Sequence, residues 1–125
     1  MMKQSARVIF IGMQPSKARF RRNCALDRFG AWVDTLGLRF VSFHNAIIDP
    51  DLAQRPSSVD YDLLRESVHN YSYVVALGNL ASTALKRIDV DHFKMPHPSP
   101  LNRLLNDRSY EQSMLYELRS YIYGG

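Results

Sequence analysis

An α/β fold, with a parallel sheet covered by helices on both faces, is predicted by three features of the sequence. Short β-branched or aromatic runs stop at glycine or proline, stretches of helical spacing lie between them, and the two kinds alternate along all 125 residues. The first run, Val8-Ile9-Phe10-Ile11-Gly12, has no polar face, so it reads as a strand buried on both sides that feeds a loop at Pro15. Leu26, Phe29, Trp32, Val33 and Leu36 recur at three- and four-residue spacing, and Gly37 follows where such a helix ends. Residues 39–47 form a second strand whose end carries His44 and Asn45, before a polar loop between Pro50 and Pro56. Asp60 caps a helix running to His69, with Leu63, Leu64 and Val68 facing inward. Residues 73–78 are a third buried strand stopped by Gly78-Asn79, and 80–87 the next helix. A short fourth strand at 92–96 leads into His97-Pro98-Ser99-Pro100, after which Met114, Leu115, Leu118 and Ile122 mark a closing helix over 109–123.

Length allows one core and no second domain, so residues 1–125 are expected to form a single unit. Sixteen Lys and Arg against twelve Asp and Glu leave a net charge of +4, with Arg7, Lys17, Arg19, Arg21, Arg22 and Arg28 gathered in the first third. That clustering suits a phosphate-facing surface, although a balance this modest is also common on proteins with no nucleic-acid partner. Cys24 is the only cysteine, which excludes an internal disulfide, a Cys-rich zinc site and a four-cysteine iron–sulfur cluster. No metal or cofactor is expected. The residues before Val8 lead into an apolar run too short for a signal segment or a membrane span, so a cytoplasmic monomer without a membrane partner is expected.

In open parallel sheets, ligands bind beyond the carboxyl ends of the strands, where loops converge and helix amino termini point their N–H groups. Here those ends are Gly12-Met13-Gln14-Pro15-Ser16, His44-Asn45, Gly78-Asn79 and His97-Pro98-Ser99-Pro100-Leu101. Two of them together resemble the motifs of the uracil-DNA glycosylase superfamily, namely a first-strand Gly-x-(Asn/Asp/Ala)-Pro loop and a last-strand His-Pro-Ser-(Pro/Gly)-Leu loop. The resemblance extends to Asn45-Ala46-Ile47 at the second strand and Leu77-Gly78 at the third, so it spans nearly the whole chain. It implies a three-layer α/β/α fold whose four-stranded parallel sheet runs in the order 2-1-3-4. It also implies DNA as partner and hydrolysis of the N-glycosidic bond of uracil, or of a related damaged or modified base, as activity.

Base excision requires an enzyme to extrude a nucleotide, fill the vacated stack, read the base edge and stabilise a base leaving as an anion. The resemblance gives His97 the last task, donation of a hydrogen bond to the oxygen where charge grows. Read alone, the same histidine satisfies backbone groups in a proline-rich turn. Asn45 has the acceptor and donors needed for the O4 and N3–H edge of uracil, or else it caps the strand exit. Gly12 and Met13 would lie against the base, and Phe20 or Phe43 would stack on it, though core packing is the commoner fate of a phenylalanine. Ser16, Ser99 and Pro100 would meet the DNA backbone, with Asn102, Arg103, Arg21 and Arg22 nearby; a solvated turn explains Asn102 and Arg103 equally well. Leu101 is either the wedge that enters the stack or a cap on the core beside Leu104 and Leu105.

The pattern departs from the family at Gln14, where the resemblance places the residue that activates water. An amide orients water and cannot deprotonate it. Met13 stands where other branches have a glutamate, and Asp49 or Asp51 from the second loop are the available carboxylates. Two readings therefore remain, an active glycosylase and a base- or DNA-binding module of the same fold without efficient turnover. A cytosolic nucleotide hydrolase is a weaker third, and a zinc deaminase is disfavoured by the single cysteine.

Overall fold

A computed structural model describes residues 7–15, 24–98 and 107–124, with the side chains of 24–26 left out of the description. The elements alternate as the sequence predicts: β1 (Val8–Gly12), α1 (Cys24–Leu36), β2 (Val41–Asn45), α2 (Tyr61–Val68), β3 (Tyr73–Leu77), α3 (Asn79–Arg87), β4 (Phe93–Met95) and α4 (Arg108–Tyr123). All pairings are parallel and the strand order is β2-β1-β3-β4. The two central strands are the most apolar, because each is covered on both faces and paired on both edges.

Alternation along the strands divides the core in two. Val8, Phe10, Val75, Leu77 and Met95 point to one face, where Trp32 and Leu36 of α1 and Leu118 and Ile122 of α4 cover them. Ile9, Ile11, Val74 and Ala76 point to the other, under Leu64 and Val68 of α2 and Ala81, Ala84 and Leu85 of α3. The result is a three-layer α/β/α sandwich. Trp32 is 1% exposed, and its indole N–H donates to Glu111 Oε2 at 2.7 Å, so α1 and α4 are joined by a polar contact as well as by packing. Asp60 and Asp107 cap α2 and α4 by accepting from Leu63 and Ser109 backbone N–H groups.

Strand limits are tighter than the sequence predicts at β2 and β4. Ala46 and Ile47 leave β2 and donate instead to the carbonyls of Gly12 and Met13, which draws the chain across the end of β1. At β4, only three residues pair, so Val74 has no strand beside it on that edge. The Tyr121 hydroxyl of α4 fills the gap, 3.2 Å from Val74 N and 3.3 Å from Val74 O, with its ring stacked on Phe93. On the opposite face, His92 lies with Nδ1 2.8 Å from the Val90 carbonyl and Nε2 2.7 Å from Ser82 Oγ. A carbonyl only accepts, so Nδ1 carries the proton and the Ser82 hydroxyl donates to Nε2, tying α3 to the start of β4.

Tyr121→Phe keeps the ring and strands both backbone groups of Val74. Its unfolding free energy is expected to fall by about 1–3 kcal/mol in urea titration. An unchanged midpoint would show that water replaces the hydroxyl without cost.

Candidate functional site

A parallel sheet sets all four carboxyl ends on one edge. Gly12 is in register with Asn45, and Ile11 with Ala76, so Gly12 comes level with Leu77, which pairs with Met95. The row Asn45, Gly12, Leu77, Met95 crosses the sheet in steps of about 4.8 Å. β1 and β4 therefore end about 10 Å apart.

Gly12 organises one half of the row. A Cβ on it would lie 2.6 Å from Phe43 Cζ and 2.8 Å from Asn45 Oδ1. The missing side chain is thus what lets the aromatic ring and the amide converge on the end of β1. Phe43 is held edge-on by Phe29 of α1 at 5.3 Å between centroids, and Phe29 by Phe10 at 4.8 Å, while 42% of Phe43 remains exposed. A half-exposed ring with a braced edge is suited to accept a flat ligand. His44, one residue before Asn45 and in register with Ile11, points to the opposite face of the sheet.

The other half is built on Gly78, whose N–H donates to the Met95 carbonyl at 2.8 Å. Its φ of 97° is a conformation that other residues rarely adopt, and a Cβ there would come within 3.1 Å of His97 Cβ. His97 thus rests directly on the turn that starts α3. Burial holds the imidazole of His97 below its ordinary pKa, and the same is true of His44. His97 is accordingly neutral at pH 7.

The Gln14 amide nitrogen is engaged by the second loop. Here Nε2 donates to the carbonyls of Asp49 and Leu52, at 2.9 and 2.8 Å, on the loop after β2. Asp49 Oδ1 accepts from the Asp51 N–H within its own turn. Met13 donates no side-chain group and lends its carbonyl to Ile47.

Two members of the basic cluster fall among the described residues. Arg7 precedes β1, at the amino edge of the sheet and away from the row, with its guanidinium 4.9 Å from the Tyr71 ring centre. Arg28 lies beside Glu111 of α4. Lys17, Arg19, Arg21 and Arg22 lie outside the described residues, as do Ser16, Phe20, Ser99, Pro100, Leu101, Asn102 and Arg103. Among the described residues there is no group of three or more His, Cys, Asp or Glu able to hold a metal ion, and no helix long and apolar enough to cross a membrane. A recess of about 460 Å³ lies on the flank of the sheet, between α3 and the start of β4. Its most buried polar group, Ser82, is already paired with His92, and the recess is separate from the strand-end row.

Sequence reasoning missed Phe29 and the Asp49–Leu52 carbonyls as parts of this region. Phe29 reads only as a core position of α1. Carbonyl acceptors leave no mark in a sequence.

The chain matches no family model, no curated protein and no solved structure.

Both perturbed histidines bind a proton less readily folded than unfolded. Protonation then favours the unfolded chain, so stability is level above the ordinary value of 6.5 and falls as pH drops below it. Urea titrations at pH 8 and pH 5.5 should show this loss, and a His44→Asn/His97→Asn double variant should lose less over the same interval. Equal losses in the two proteins would assign the dependence to other groups.

Proposed function

We propose that the protein is a DNA glycosylase of the uracil-DNA glycosylase type, hydrolysing the N-glycosidic bond of uracil or of a related damaged or modified base in DNA. The observation that carries the reading is the convergence of Phe43 and Asn45 over Gly12, on the edge of the sheet that also ends at His97. A flipped base needs a flat face to lie on, an amide to read its edge and a donor for the oxygen that becomes anionic. Phe43 supplies the first and Asn45 the second, with Oδ1 accepting from N3–H and the amide nitrogen donating to O4.

His97 supplies the donor. A neutral imidazole seated against Gly78 is proposed to turn a ring N–H to the base oxygen as the bond breaks, which is worth about 3–4 kcal/mol for a comparable donor in an oxyanion site. Neutrality is suited to the task, because the ring stabilises a developing charge without forming a tight ion pair with the released base. Ser16, Ser99, Pro100 and Leu101, with Asn102, Arg103, Arg21 and Arg22, are proposed to hold the DNA on either side of the extruded nucleotide, on the strength of the motif resemblance.

One observation favours a second reading, a base-binding module without efficient turnover. Both N–H groups of Gln14 are engaged by the second loop, and Asp49 Oδ1 accepts from the Asp51 N–H within its own turn. The Gln14 amide is no base for water, and in this reading bond cleavage rests on leaving-group stabilisation.

Purified protein incubated with labelled oligonucleotides containing uracil, hypoxanthine, xanthine or hydroxymethyluracil, followed by alkaline cleavage of abasic sites, decides between the two. Strand scission with at least one base is expected, and His97→Ala should lower the single-turnover rate by about 100-fold or more. Binding without scission for every base would establish the module. An unchanged rate in His97→Ala would remove the anion-stabilising role.

A further inference from the structure

Gln14 stands where the motif resemblance expects water to be activated, yet its side chain is turned toward the loop after β2. The atoms 2.9 and 2.8 Å from Nε2 are both carbonyl oxygens, which only accept, so the nitrogen has to face them and both its N–H groups are engaged. The backbone ties Ala46 to Gly12 and Ile47 to Met13, and Gln14 extends that tie past Ile47 to Asp49 and Leu52. Within the far part of the loop, Leu52 N–H closes on the Asp49 carbonyl and Asp51 N–H on Asp49 Oδ1. The loop is thus a turn of its own, and the Gln14 side chain ties it to the segment that follows β1.

That pinned turn carries two large apolar side chains outward, Ile48 and Leu52, 45% and 46% exposed. They lie three and seven positions after Asn45, on the loop that leaves the base-reading half of the strand-end row. Branched apolar groups held in water on a fixed loop gain burial only against a partner, and next to a base site the apolar surface that meets them is the face of a neighbouring base. We infer that Gln14 is a positioning residue, whose amide clamps the 48–52 loop so that Ile48 and Leu52 form a preset contact for the DNA strand flanking the extruded base. The partner in this inference rests on the glycosylase reading; the clamp does not.

The isosteric change Gln14→Glu separates positioning from water activation. It keeps an oxygen at the end of the side chain, removes both donors and sets a carboxylate against two carbonyls. The full chain, as parent, Gln14→Glu and an Ile48→Ser/Leu52→Ser double variant, would be followed by amide hydrogen exchange, by anisotropy with a fluorescent single-stranded oligonucleotide containing one uracil, and by single-turnover excision. In Gln14→Glu, exchange over residues 48–52 should rise about tenfold or more while β1 and β3 stay protected. Oligonucleotide affinity should fall severalfold in Gln14→Glu and to a similar extent in the double variant, whose Gln14 is intact.

Unchanged exchange in Gln14→Glu overturns the clamp. Faster excision by Gln14→Glu than by the parent overturns positioning in favour of a carboxylate base at that site. A loosened loop with unchanged affinity in both variants overturns the contact surface. A parent that neither binds nor excises defeats the glycosylase reading and with it the DNA contact, and the exchange data still decide the clamp.

Discussion

At the end of β1 a side chain of any size would collide with Phe43 and Asn45, each within 3 Å of where a Cβ on Gly12 would stand. That exclusion sets the geometry of the whole edge. Phe43 reaches over β1 because nothing rises from Gly12 to stop it, and it stays there because Phe29 and Phe10 brace it edge-on from the core side. Asn45 reaches the same point because parallel register puts it level with Gly12. The site is therefore anchored in the most buried strand of the protein, where packing gives the least freedom to drift.

The second half of the edge repeats the device with a different constraint. Gly78 must adopt a positive φ to turn from β3 into α3, and the same lack of a side chain lets His97 settle against it. Two glycines, one per central strand, bring an aromatic ring, an amide and a neutral imidazole to one edge from β2 and β4, the two outer strands, whose ends lie about 14 Å apart. Burial of His97 follows from this seating, and with it the depressed pKa that keeps the ring uncharged at neutral pH.

Most of the fold was legible because each element has its own period. The runs at Val8 and Tyr73 have no polar face and became the two central strands; Leu26 to Leu36 has a helical stripe and became α1 with Trp32 inward. Boundaries were less legible where tertiary partners decide them. Residues 46 and 47 have strand-like character, yet their N–H groups go to the Gly12 and Met13 carbonyls beyond the strand. The Tyr121 contact to Val74 spans 47 positions, and the Gln14 contacts span 35 and 38. No local pattern encodes such contacts. Of the basic residues, Arg7 stands apart for a geometric reason: residues close in sequence on the two sides of β1 lie at opposite ends of the sheet, so Arg7 is far from the edge that Gly12 reaches. Strand alternation, by contrast, was enough to separate Asn45 from His44 once the register was known.

The most direct test of base binding at this edge is chemical-shift mapping of ¹⁵N-labelled protein titrated with an oligonucleotide carrying a single 2′-fluoro-deoxyuridine. The electron-withdrawing fluorine opposes positive charge on the sugar, so the base can be bound without being released. Shifts that concentrate on Gly12, Phe43, Asn45, Gly78 and His97, and that are reduced when the uracil is replaced by thymine, are the predicted result. Shifts confined to the amino edge around Arg7 and Tyr71, or no shifts at saturating oligonucleotide, would contradict the account.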